Sequence, residues 1–358
     1  MIKIIFEDII YVGADIYCLA RYAPVIMHIS LLENKVVQIL RISNECTDKN
    51  IGRKIFYWRN SIVITPGIDD RIKIYNLGNK SWKEIYVPNN IEYDELYKHI
   101  FCSELYEDTL FMFGCIYHRC IKCNLKTGIV IINSFINGKF PKTNNEIDVL
   151  FSRYSSRRIH DKYVLPFAAG PYLLEFDLRN EESIWRRIDV ANSDIGFRGM
   201  AWDGVYIWAF SWDMRSIIKI DEHYRTTHYT IDSAAVNCGM FYATANISNL
   251  SIFSTDCGEY NEILLDKDLI VEVYNGNYTF CKKSAELFIA QNSNGDIDLL
   301  FEDGAKTTIE SSAIRESYNE FIEKLTSKNN IYSDFLGKTP VVYEGDVLHF
   351  DDFIRAVR

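Results

Sequence analysis

Cys120 and Cys123, in "RCIKCN", are the side chains whose spacing comes nearest to a metal grip, and Cys102 and Cys115 stand a short way before them. Two thiolates three positions apart suit a tight turn around zinc. The surrounding "RCIKCNLKTG" (119–128) reads instead as a strand running into a polar turn. An odd offset along a strand sends side chains to opposite faces, so the expectation is structural thiols and no metal. "QNSNGDIDLL" (291–300) sets Asn292, Asn294, Asp296 and Asp298 at alternate positions, as a calcium loop does, but lacks the closing bidentate glutamate; it reads as a hairpin. Asp69 and Asp70 have no second carboxylate placed opposite them for acid–base work. No phosphate-cradling Gly-rich loop, HExxH or G-x-S-x-G elbow occurs, and no cofactor is expected.

What remains is a scatter of cations and aromatics between apolar runs. Arg21 and Tyr22 lie in "RYAP", Tyr117, His118 and Arg119 in "YHR", and Trp212 and Arg215 in "SWDMR". Arg53, Arg153 and Arg198 fall just before or early in other apolar runs. Guanidinium forks match carboxylates and phosphates, and aromatic faces stack on sugars, peptides or cations. Together these residues would suit an anionic or stacking ligand. A catalytic version of the same reading would draw on His118, His160, Arg198 and Asp213. Either use requires elements that bring distant positions together.

Those elements are visible as a repeat. A polar corner recurs at Asp15, Asn60, Asp108, Asp161, Asp203 and Asn249, with a weaker match near Ala285, at gaps of 45, 48, 53, 42, 46 and 36 residues. Asp, Asn and the Gly of "DG" suit such corners because they tolerate left-handed dihedrals or bond nearby amides. Each corner opens a run of β-branched and aromatic residues, such as "SIVIT", "TLFMFG", "KYVLPF" and "VYIWAF", of the kind that forms strands buried on both faces. A further strand with its own polar turn follows ("RIKIYNLGNK", "YLLEFDLRNE", "SIIKIDEHYR"), then a closing strand. With the strand before each corner, every unit of about 45 residues holds four short antiparallel strands. Units begin near residues 4, 52, 98, 149, 197, 235 and 278.

That spelling predicts an all-β chain: a seven-bladed β-propeller, six-bladed if the last unit is irregular, of four-stranded antiparallel blades. The weaker alternative is a large β-sandwich or an irregular all-β fold, and sandwiches seldom repeat four strands and a corner at this spacing. Ring closure is expected where the N-terminal "IKIIF" meets the last blade. "NLGNKSWKEIYVP" (76–88) and "DLRNEESIWRRIDV" (177–190) resemble the later part of a kelch repeat, where a polar turn precedes a Trp that opens the outer strand. The usual paired glycines are missing; only Gly114 and Gly170 stand near such places. The resemblance implies the fold and carries no active site.

The repeat ends near residue 311, and the expected organisation is a propeller over 1–311 with a helical extension over 312–358 packed on it. In "SAIRESYNEFIEKLTSKNN", Ile314, Tyr318, Phe321, Ile322 and Leu325 recur at helical spacing. The 358 residues carry a formal charge of −10, which disfavours nucleic acid and anionic membrane as partners. No run of eighteen uncharged apolar residues occurs, and nine scattered cysteines suit a reducing, cytoplasmic compartment. In a propeller, loops from second to third strand and links between blades surround one mouth. The expected function is therefore a non-catalytic cytoplasmic module that recognises a protein, peptide or anionic or glycan ligand there. The alternative is an isomerase, lyase or hydrolase acting on a carbohydrate or peptide at the same place.

Overall fold

The structure is a computed structural model. It describes residues 6–20, 25–33, 35–42, 52–67, 70–87, 100–114, 119–134, 151, 156–190, 196–212, 216–230, 241–245, 249–254, 260–265, 271–276, 278–284, 287–292, 296–301 and 306–310. The expected helices after residue 311 lie outside these.

Seven four-stranded antiparallel sheets form, each a meander whose strands pair in sequence order. The first holds β1 (Phe6–Val12), β2 (Asp15–Ala20), β3 (Val25–Ser30) and β4 (Lys35–Arg41). The second holds β5 (Gly52–Trp58), β6 (Ser61–Pro66), β7 (Arg71–Asn76) and β8 (Ser81–Tyr86). The third is β9 (Ile100–Tyr106), β10 (Thr109–Gly114), β11 (Arg119–Asn124) and β12 (Ile129–Ser134). The fourth is β13 (Arg157–Ile159), β14 (Lys162–Pro166), β15 (Tyr172–Asp177) and β16 (Ser183–Arg187). The fifth is β17 (Phe197–Trp202), β18 (Ile207–Ser211), β19 (Ser216–Ile220) and β20 (Thr226–Thr230). The sixth is β21 (Phe241–Ala245), β22 (Asn249–Ser254), β23 (Tyr260–Leu265) and β24 (Val271–Gly276). The seventh is β25 (Tyr278–Ser284), β26 (Leu287–Asn292), β27 (Ile297–Phe301) and β28 (Lys306–Ile309).

Burial follows strand order. The second strands β2, β6, β10 and β14 are buried almost end to end, while the fourth strand β8 is buried only at Ile85. Runs such as "IVI" (62–64) and "LFMFG" (110–114) are apolar at every position because both their faces are covered. Each core lies between consecutive sheets. Ile26, Leu40, Ile55, Ile62 and Ile64 close the space between the first and second, and Phe111, Phe113, Tyr163, Leu174 and Phe176 that between the third and fourth. Val164, Leu173, Phe197, Met200 and Ile218 do the same between the fourth and fifth.

One turn device recurs. The last residue of the third strand, or in the fifth sheet the residue just after it, caps the hairpin that follows. Asn76 Oδ1 accepts the amides of Gly78 and Asn79, both at 3.0 Å, and Asn124 Oδ1 accepts Thr127 at 2.9 Å. Asp177 Oδ1 accepts Arg179 and Asn180 at 2.8 and 2.9 Å, and Asp221 Oδ1 accepts His223 and Arg225 at 2.8 and 2.9 Å. A left-handed residue closes each hairpin: Lys80, Gly128, Glu181 and Tyr224. The Leu after the cap then donates to the corner between the first two strands, Leu77 to Asn60 O, Leu125 to Asp108 O and Leu178 to Asp161 O, at 2.8–3.0 Å. The corners and the "NLG", "NLK" and "DLR" spellings are thus two halves of one joint, which is why both repeat.

The sheets fall into two compact units, one with the first, second and seventh, the other with the third to sixth. Within the first unit, β1 packs beside both β5 and β25, so the opening strand of the chain neighbours its last sheet. Among the described residues no helix is long and apolar enough to cross a membrane.

Candidate functional site

A four-stranded meander puts its first and third connections at one end and its second connection at the other, together with the link to the next sheet. The first end is taken up by the joint just described. The second, the loop end, is where the sequence placed its cations and aromatics. Arg21, Tyr22, Tyr117, His118, Arg153, Asp213 and Arg215 lie outside the described residues. Arg119 opens β11 and Arg198 is the second residue of β17; their backbones are described. Arg53 and Trp212 are described in full.

The loop end carries a feature that no spelling announced. Five first strands break register once, each near its start. The extra residue is Glu7 in β1, Phe101 in β9, Arg198 in β17 and Thr279 in β25. In β5, Arg53 and Lys54 together stand opposite Thr65. A bulge adds local twist and re-aims a side chain, and bulges concentrate beside functional sites. Arg53 and Arg198 are two of the cations singled out from sequence. Glu7, Phe101 and Thr279 were not singled out. Counting back from the corner finds Glu7, Arg53 and Phe101 seven or eight residues before it, and only the paired register shows that these positions are bulges.

In the first unit the bulges bring charge together. Arg53 Nη1 lies 3.5 Å from Glu7 Oε1, with the Glu7 side chain wholly enclosed and that of Arg53 9% exposed. Asp8 Oδ2 accepts the Ile55 amide at 2.9 Å, tying β1 to β5. Thr65 Oγ1 accepts the Lys54 amide at 2.9 Å and steadies the bulge from the neighbouring strand. Gly52 leads into it because an added Cβ would fall 2.3 Å from Ile64 Cγ2. Removing one member of a buried ion pair typically costs about 3–5 kcal/mol, so Arg53 is held by the fold as well as placed by it.

In the second unit the loop end of the fourth and fifth sheets is tightly built. Phe197 N donates to Phe167 O and Trp212 N to Gly196 O, both at 2.8 Å. A Cβ on Gly196 would meet Ala168 O at 1.9 Å, so only glycine lets the two chains approach this closely. The fourth sheet also carries a groove of about 350 Å³ lined by Pro171, Arg187, Ile188, Asp189 and Val190, in which the Ile188 amide donates to Pro171 O at 2.8 Å. Arg187 and Asp189 are exposed there and Trp212 is half-buried. The groove thus offers a cation and a carboxylate side by side.

His160 does not join this end. It is the exposed left-handed residue of the β13–β14 corner, edge-on to Trp202 at 5.8 Å, opposite in its sheet to the 167–171 loop. The corner residue needs a left-handed backbone, and that requirement places it at the joint. His28 is likewise occupied, stacked on Tyr17 at 4.6 Å with Nε2 2.9 Å from Asp15 Oδ1.

The cysteine spelling resolves as structure. Cys120 and Cys123 pair opposite Phe113 and Leu110 within β11, both buried as free thiols, and burial pushes the Cys120 thiol well up. Asp298, from the calcium-like spelling, is buried in β27 and accepts Thr308 Oγ1 at 2.7 Å. Among the described residues no three His, Cys, Asp or Glu side chains converge on a possible metal position.

No family model matches the chain, and no curated protein matches it in sequence. Solved structures do match. Virginiamycin B lyase from Staphylococcus aureus superposes with a TM-score of 0.58 at 12% identity, over 81% of this chain and 92% of that one. Kuenenia stuttgartiensis hydrazine synthase gives 0.56 at 11%, over 85% and 95%. The computationally designed Ika8 protein gives 0.53 at 10%, over 84% of each. The fold is a β-propeller. At such identities the likeness shows the fold alone, and two enzymes and a designed protein share it. The repeat read from the sequence is therefore a propeller's repeat, and the function has to be argued from this chain's own loop end.

Proposed function

We propose that this propeller is a non-catalytic recognition module of the cytoplasm, taking a protein, peptide or glycan ligand at the loop ends of its blades. The observation that carries this reading is the recurrence of bulges in five first strands, each at the end of its own sheet where the second-to-third-strand loop emerges. The groove at Pro171, Arg187 and Asp189 supports it with exposed polar neighbours. Buried free thiols at Cys18, Cys102, Cys120 and Cys123 support a reducing compartment. The kelch-like reading draws support from Trp82 and Trp185, each in an outer strand that follows an Asn- or Asp-capped hairpin.

Native mass spectrometry of the purified chain, followed by peptide and glycan arrays, tests the proposal. Wild-type protein is expected to retain a ligand that Trp212→Ala and Arg119→Ala lose at least tenfold with unchanged melting temperature. Capture surviving both substitutions but lost on deletion of 312–358 would move recognition to the C-terminal segment. Turnover of the captured ligand would make the loop end catalytic.

A further inference from the structure

We infer that the chain edge from Arg187 to Asp189, where β16 ends at the groove, takes an extended peptide segment of a partner protein as an added strand, with an acidic side chain of the peptide opposite Arg187 and a basic one opposite Asp189. This rests on reading the loop end as a recognition surface, and adds the ligand's chemistry.

Three observations lead there. First, β16 is the last strand of its sheet and pairs only with β15 among the described residues. An edge strand carries backbone donors and acceptors that a further strand can take up. The register says where they point. Ile188 N donates to Pro171 O at 2.8 Å, so Ile188 turns its backbone toward the partner chain, and in an antiparallel ladder its neighbour Arg187 turns its own away. Tyr172, opposite Arg187, agrees with this. Its O accepts Phe167 N at 3.0 Å and its N donates to Gly170 O at 2.8 Å, so neither is shared with Arg187.

Second, side chains alternate along this edge. Ile188 is buried against the fifth sheet, while Arg187 and Asp189 on either side of it are exposed. The two charges thus stand on one face, two positions apart, which is the spacing of same-face side chains on an added strand. Among the described residues neither takes part in an ion pair or side-chain hydrogen bond, even with the other.

Third, the surroundings leave this pair of charges to choose the sequence. Residues 167–173 and 185–190 build this end of the sheet, and besides Arg187 and Asp189 only Arg186 is charged there. Arg186 lies on the other face, opposite Leu173, 3.5 Å from Glu175 and over the Tyr224 ring at 4.9 Å. Glu175 also accepts Lys162 at 3.0 Å. The groove of about 350 Å³ falls at the low end of the range of about 300–1,000 Å³ for ligand sites, which suits the side chains of one strand and not a folded domain. In such an addition main-chain hydrogen bonds supply affinity, and opposite charges across the new pair supply choice.

The test is fluorescence anisotropy of the full chain with three labelled, end-blocked hexapeptides rich in Val. One carries Glu and Lys two positions apart, one has the two exchanged, and one has Thr at both places. The wild type is expected to bind one charge order about tenfold tighter than the neutral peptide. Arg187→Glu combined with Asp189→Lys is expected to prefer the other order by a similar factor, with unchanged melting temperature because both side chains are exposed. N-methylation of one alternate set of peptide amides is expected to abolish binding, and of the other set to spare it. Hydrogen exchange at the Arg187 amide is expected to slow in the complex. Absence of saturable binding for all three peptides would overturn the proposal, as would a charge preference that survives the exchange. Equal tolerance of both N-methylated sets would mean charge pairing without an added strand and would also overturn it. Binding lost in Arg198→Ala but kept in Arg187→Ala would move the anion contact to β17, with the same consequence. Should Trp212→Ala still abolish ligand capture in any of these cases, the recognition reading stands and only the added strand falls.

Discussion

Gly196→Ala tests how the loop end is built. An added Cβ would sit 1.9 Å from Ala168 O, 2.3 Å from its carbonyl carbon and 2.7 Å from Gly170 N, all backbone atoms that cannot rotate away. Real Cβ contacts essentially never fall below 3.0 Å, so the 167–170 segment must retreat by about 1.1 Å. That movement strains the Phe197–Phe167 and Trp212–Gly196 hydrogen bonds, both at 2.8 Å. Overpacking costs about 1–3 kcal/mol and a backbone hydrogen bond about 1 kcal/mol, so a loss of about 3 kcal/mol is expected. With a urea dependence of about 3 kcal/mol per molar, the unfolding midpoint falls by about 1 M. Gly13→Ala is the control. Gly13 is left-handed, with φ of 65°, but nothing lies within 4 Å of its added Cβ. Its cost should be that of a left-handed alanine, about 1 kcal/mol. If Gly196→Ala unfolds at the same urea concentration as Gly13→Ala, the close approach at the loop end is not what glycine is there for.

Three further outcomes are expected. Asp177→Ala should lose about 1 kcal/mol in urea unfolding, since two amides lose their acceptor, while Asp177→Asn should stay near wild type because Asn76 and Asn124 fill the same place in other sheets. The Asn180 amide, with that of Arg179, holds the Asp177 carboxyl below the usual range. Its small contribution is therefore present above the ordinary aspartate pKa and fades as pH falls through the lowered one, and carboxyl titration by NMR should show that low midpoint. Tyr17, only 4% exposed, is pushed up to about 12 chiefly by burial and then by Asp15. Its folded form stays neutral while the unfolded chain ionises near 10, so stability should fall as pH rises from about 10 to 12, and Tyr17→Phe should lessen that fall. Asp203→Ala should cost about 2–4 kcal/mol by thermal unfolding, because Asp203 accepts two amides and also Trp208 Nε1 at 2.8 Å, and Trp208 is fully buried.

The fold was legible because its determinants are local. Asn60, His160–Asp161 and Asp203–Gly204 stand in corners that need left-handed or self-capping residues, and the runs after them are mostly apolar because second strands are covered on both faces. Cys120 and Cys123 were readable as strand thiols on the same ground. The site was legible only in part. Arg53 and Arg198 stood out as cations near strand starts, but that they occupy bulges depends on a register shift against the second strand. In the sequence Glu7 reads only as a charge interrupting an apolar segment, whereas it packs against Arg53, forty-six residues later. His160 was grouped with the loop-end residues by residue type, and its backbone conformation assigns it to the opposite end of its sheet.

The sequence by itself determined the four-stranded unit, the order of its strands and the turns between them, since propensity, corner chemistry and burial act over a few neighbouring residues. Only the tertiary structure decided which distant positions meet. The Glu7–Arg53 pair, the bulges on adjacent first strands and the Ala168–Gly196 approach all arise where one sheet packs on the next. Inter-sheet packing sums many weak contacts along whole faces, and no short stretch of residues encodes it.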